Sequence, residues 1–220
     1  MIDLSRLLAI TLACAALVAR ADEPQGPASE EWEVSKNFEA KKPTTIAVMP
    51  MDNLSLEAGV EEALYNAVYA RLAAKGYAKI SADHVASVMQ RLGVTVPGLL
   101  AGFSSRRLGE ELHADALLFG QIEQSAHINQ IAYDAIVVSC SLKLVDAGSS
   151  EVIWHAEQWR AAHRQWALDP VNALLNSLMH GNASRDDRVN YLAQEMLKTL
   201  PQGPVEIGGD NLLGQAKVVK

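Results

Sequence analysis

Six histidines (His84, His113, His127, His155, His163 and His180) and two cysteines (Cys14 and Cys140) are the side chains best suited to metal binding or nucleophilic attack. A helical zinc-hydrolase site needs two histidines four residues apart with a glutamate between them, and no pair has that spacing. Cys140 alternates with Ile136, Val138, Leu142 and Leu144 along one apolar face, so it is expected to pack in a core. No Gly-x-Ser-x-Gly elbow occurs, nor any glycine-rich phosphate loop of the Walker or Gly-x-Gly-x-x-Gly kind. Glu110 and Glu111 are adjacent in a helical segment, so their side chains diverge by about 100° and do not share a proton. No catalytic residue, metal or cofactor is assigned, and the chain is expected not to be an enzyme.

Two groups of residues are left. Asp52, Asn53 and Ser55 follow a short apolar strand and precede a helix, where open α/β sheets place ligands. In the ordinary alternative Asn53 and Ser55 make the turn and cap that helix. Trp154, Trp159 and Trp166 fall close together and are interleaved with Arg160, His163 and Arg164, a composition typical of protein contacts. Trp154 is expected in the core, whereas Trp159 and Trp166 suit either an interface with Arg160 or a cover over the sheet's end.

These residues need elements to position them, and a leader comes first. Residues 7–18 are an apolar run behind Arg6, followed by Ala19-Arg20-Ala21, the pattern of a secretory signal peptide. Such a run spans about 18 Å as a helix, short of the roughly 30 Å hydrocarbon core of a membrane. Residues 1–21 are therefore expected to be removed. Thr11-Leu12-Ala13-Cys14 loosely matches a lipobox, which makes Cys14 a lipidation candidate. Thr11 at position −3 and the apolar residues after Cys14 favour cleavage after Ala21 instead. The net charge of −7 opposes binding to nucleic acid or an anionic bilayer, leaving a lipid anchor as the one route to a membrane.

Residues 22–42 carry proline, glycine and charge, and are expected to be a flexible linker. A single domain over 43–201 follows. Residues 44–50 suit a buried strand. Val60, Leu64, Val68 and Leu72 give a helix stopped at Gly76, and 78–80 a second strand. Ser81 and Gly93 bracket the next helix, and a shorter one begins at Ser104 or Ser105. Residues 116–122, an alternating segment from Tyr133 and residues 151–160 are three more strands, the last two joined as a hairpin across 146–150. Asp169-Pro170 opens one late helix, and Val189, Leu192, Met196 and Leu200 mark another. Residues 202–220 are expected to be a loose tail. The class is α/β, with a mixed β-sheet flanked by helices.

Ile46-Ala47-Val48-Met49-Pro50 with Asp52-Asn53-Leu54-Ser55, His113-Ala114-Asp115-Ala116-Leu117-Leu118-Phe119-Gly120-Gln121-Ile122, and Leu142-Lys143-Leu144-Val145-Asp146-Ala147-Gly148 with Val152-Ile153-Trp154 resemble the TolB amino-terminal-domain group of bacterial envelope proteins. That group takes in curli-secretion (CsgG-type) lipoproteins and a family classed as lipoproteins whose function is unknown. The resemblance covers roughly 42–159 and implies a non-catalytic periplasmic or outer-membrane-associated domain. Such a domain works as an assembly or scaffolding module through contacts with other envelope proteins or as a homo-oligomer. The rival expectation is a periplasmic small-ligand-binding protein or enzyme using the loop at Asp52. It predicts a deep polar cleft there, whereas the interaction module predicts an exposed apolar patch.

Overall fold

The computed structural model describes residues 29–130, 133–163, 185–204 and 218–219. The leader with Cys14, Trp166 and the helix expected from Asp169-Pro170 lie outside the described residues. Eight strands form one mixed sheet: β1 (Ser29–Val34), β2 (Thr45–Val48), β3 (Asp52–Asn53), β4 (Ala78–Ile80), β5 (Ala116–Gln130), β6 (Tyr133–Asp146), β7 (Val152–His163) and β8 (Val218–Val219). Their order is β1-β7-β6-β5-β2-β4-β8, and β3 pairs with β5 further along the edge that β2 occupies. The half from β5 to β1 is antiparallel, and the half from β5 to β8 is parallel.

Helices α1 (Phe38–Lys41), α2 (Val60–Leu72), α3 (Ala82–Leu92), α4 (Ser105–Leu112) and α5 (Arg185–Thr199), with short 3-10 turns at Ala73–Lys75 and Pro97–Gly102, flank this sheet. On one face, α2 and α5 bury Ile46, Val48, Leu118, Cys140, Leu142, Leu144 and Trp154. On the other, α3, α4 and the Pro97–Gly102 turn cover Ala47, Met49, Ile80 and Leu117, all in the parallel half. The helices begin and end where the sequence provides for it. Ser81 Oγ accepts from His84 N–H and Ser104 Oγ from Arg107 N–H, while Gly76 and Gly93 take positive φ at helix ends. Gly120 answers a different need: a Cβ there would lie 2.1 Å from Met51 Sδ, so only glycine lets that side chain cross the strand.

Four boundaries differ from expectation. Residues 22–42 are not a linker throughout, because Ser29–Val34 pairs antiparallel with β7 and Phe38 is buried. The strand escapes composition because its two apolar residues, Trp32 and Val34, alternate with Glu31 and Glu33, charges that suit a sheet edge. A clasp then holds the segment to the β6–β7 turn. Ser35 Oγ and Asn37 Nδ2 donate to Glu151 at 2.7 and 3.0 Å, and Lys41 Nζ stands 3.3 Å from Asp146 Oδ1.

The tail is likewise not loose at its start. Gly203 N–H donates to Lys75 O at 2.7 Å, and Val218–Val219 returns to pair parallel with β4. The strand expected to stop at Ile122 runs on to Gln130, its extension being too polar to read as buried sheet. Asp52 and Asn53, expected in a loop, continue the sheet as β3.

Candidate functional site

Beyond the reach of α3 and α4, no described helix covers the second face of the antiparallel half. Its side chains lie in rows across the strands. Asp52, Gln121, Ser141 and Glu157 share one row, and Phe119, Lys143, His155 and Glu33 the next. Where this face meets the Pro97–Gly102 turn there is a cleft of about 490 Å³. Phe119, Gln121, Ser141, Lys143 and His155 line its floor, Leu100 and Phe103 its wall, and Asp52 its β3 side. Lys143 Nζ stands 5.5 Å from the Phe119 ring centroid, within range of a cation–π contact.

The ligand loop proposed from sequence divides in two. Asp52 lines the cleft. Asn53 and Ser55 are occupied within the turn: Asn53 Nδ2 donates to Glu57 O (2.9 Å) and Glu61 Oε2 (2.6 Å), and Asn53 Oδ1 accepts from Ser55 N–H (2.9 Å) and Oγ–H (2.7 Å). Ser55 does not cap the helix, which starts only at Val60 behind Gly59. Of the tryptophans, Trp154 is fully buried and its Nε1–H donates to Thr199 Oγ1 at 3.1 Å. Trp159 is paired with Ser29 and Ser139, and Arg160 with Val138, in the β7 register.

A second cleft, of about 720 Å³, holds Lys41, Lys42, Arg106 and His113. Two of its cations are already engaged: Arg106 Nη2 donates to Gly148 O at 2.9 Å, and Lys41 pairs with Asp146. Burial alone would raise the Asp146 pKa, but the Ser149 hydroxyl and N–H and the Lys41 ammonium outweigh it and hold the carboxyl below its ordinary value. Cys140 is fully buried 4.0 Å from Met196 Sδ, and burial, reinforced by Glu123 and Glu157, pushes its thiol up to about 12. Among the described residues no three potential metal ligands come together.

Sequence reasoning passed over Lys143, Phe119 and Trp32. The signal for the first was present, since Ser139, Ser141 and Lys143 occupy the polar side of the same alternation that placed Cys140 in the core. Trp32 lies in the segment whose composition predicts a linker.

The family model described as "Putative lipoprotein GNA1162-like" matches residues 35–184. The crystal structure of lipoprotein GNA1162 from Neisseria meningitidis shares the fold at 20% identity and a TM-score of 0.53, covering 69% of this chain and 99% of that one. The PelC dodecamer from Paraburkholderia phytofirmans aligns at 14% identity and a TM-score of 0.49, over 80% of this chain and 99% of that one. The LpoB C-terminal domain from Salmonella enterica aligns at 15% identity and 0.41, over 53% and 82%. No curated protein matches in sequence.

Proposed function

Since the chain belongs to the GNA1162-like lipoprotein family, we propose that it is an exported interaction module of the cell envelope, acting through protein contacts and not through catalysis. The observation that carries this proposal is apolar surface on the two loops beside the cleft: Leu54 is 61% exposed, Leu56 103%, Val96 56% and Leu99 46%. A partner that covers these large aliphatic side chains gains about 25 cal/mol for each Å² of apolar area removed from water, which is what an interaction surface offers.

The experiment is site-specific crosslinking at Leu56 in intact cells, comparing wild type with Leu54→Asp/Val96→Asp. Discrete adducts are expected in the wild type and their loss in the variant, with the thermal midpoint unchanged because both positions are exposed. Identical adducts in the two proteins would refute the assignment. Family membership also supports an anchor at Cys14, in spite of its imperfect lipobox. The mature amino terminus should then be a diacylglyceryl-modified Cys14 recovered with membranes, and an unmodified Asp22 terminus by mass spectrometry would exclude it.

A further inference from the structure

We infer that the cleft between the Pro97–Gly102 turn and the open face of β5, β6 and β7 binds a small amphiphilic monocarboxylate. Lys143 is exposed, its ammonium stands over the Phe119 ring, and among the described residues no carboxylate forms an ion pair with it. His155 lies directly across from it on β7, and its imidazole makes no hydrogen bond to a described residue. Directly opposed side chains on neighbouring strands have Cβ atoms about 5 Å apart. The ammonium and an imidazole N–H can therefore converge on one carboxylate, each through a charge-assisted hydrogen bond. Ser141 adds a hydroxyl from the neighbouring row, and Ser105, at the positive end of α4, lines the same space.

The rest of the lining sets the remainder of the ligand. Leu100, Phe103 and Val145 offer an apolar wall suited to a hydrocarbon body. Asp52 flanks the site and Glu33 faces His155 from β1, so a second negative charge on the ligand is repelled. That selects a monoanion over a phosphate dianion. The second cleft makes the contrast, because its Arg106 and Lys41 are already committed to Gly148 and Asp146.

Octanoate is the probe, titrated into the full-length mature protein and followed through backbone amide shifts, with octanol, octylammonium and inorganic phosphate as matched comparisons. Saturable shifts confined to Gly98, Ser105, Gln121, Lys143 and His155 are expected with octanoate, and binding about tenfold weaker with octanol or octylammonium, the worth of one charge-assisted hydrogen bond. Lys143→Gln should weaken octanoate about tenfold and leave octanol unchanged, while Lys143→Arg retains binding. Lys143 is exposed, so these variants keep the fold. Equal affinity for octanol and octanoate, tighter binding of phosphate, or an unchanged octanoate titration in Lys143→Gln would each overturn the assignment. None of these results depends on the crosslinking at Leu56, so the cleft and the interaction surface stand or fall separately.

Discussion

Cys140 shows how little a reactive residue type means apart from its surroundings. Its thiol lies among Leu142, Leu144 and Met196 under two helices, and burial raises its pKa to about 12. In the unfolded chain the same group titrates near an ordinary 8.5 or so. The folded state therefore holds a proton that the unfolded state releases. The resulting stabilisation is complete below the unfolded value and is lost as pH rises through the alkaline range, by about 1.4 kcal/mol per pH unit once past the unfolded pKa. Iodoacetamide at pH 8 should leave the native protein unlabelled and modify Cys140 fully after denaturation. Rapid labelling of the native protein would mean that the core opens at this strand. In the Cys140→Ala variant the denaturant midpoint should fall less steeply between pH 8 and 10 than in the wild type, even though the smaller side chain lowers stability near neutral pH.

At the level of elements, what could be read in the sequence followed periodicity and caps. The helix α2 repeat of Val60, Leu64, Val68 and Leu72, the Ser81 cap, and the alternation through Cys140, Leu142 and Leu144 all lie where their spacing puts them. Each has a whole face to bury, and burial imposes the period. Strand β1 and the part of β5 just past Ile122 show no such apolar period in the sequence. Glu31, Glu33 and Gln124 take up positions where an apolar residue would have signalled a strand, their pairing is decided by distant partners on β7 and β6, and Glu123 falls at the register shift between Ile122 and Gln124, where it has no partner in the register. Among site residues, Asp52 was legible because it follows a strand of apolar residues. Lys143 showed only as a polar position of the β6 alternation, and its meeting with His155 was not legible, since the two come together only through strand register.

The clasp that ties the segment after β1 to the hairpin turn makes folding depend on acid. Glu151, accepting from Ser35 and Asn37, and Asp146, held by Ser149 and Lys41, both have carboxyls lowered below their ordinary values. In the unfolded chain they take up protons at higher pH than in the folded one. Their contribution is thus present above the unfolded carboxylate values and is lost as pH falls through the folded ones. Asp146→Asn/Glu151→Gln should reduce the denaturant midpoint at pH 7 and flatten its decline on acidification. An acid limb identical to wild type would mean that the clasp does not contribute to folding.

For the whole molecule, net charge and apolar surface pull in opposite directions. A chain of charge −7 repels its own copies, and β1, with Glu31 and Glu33 on an exposed edge, repels edge-to-edge pairing in particular. Self-assembly therefore needs apolar contacts elsewhere, which is where the tryptophans beyond Trp154 enter. Trp154 is used up in the core against Thr199, and Trp159 continues the same strand, followed by Arg160 and, past the described residues, Trp166. If these positions form the contact, salt should strengthen the assembly by screening the repulsion between copies, since the Debye length falls from about 10 Å at 0.1 M to about 3 Å at 1 M. Trp159→Ala/Trp166→Ala should return the protein to a monomer in sedimentation velocity with its thermal midpoint retained, and Arg160→Ala should weaken assembly less. An oligomer that survives the double substitution, or dissolves as salt is raised, would place the contact elsewhere and make charge pairing its basis.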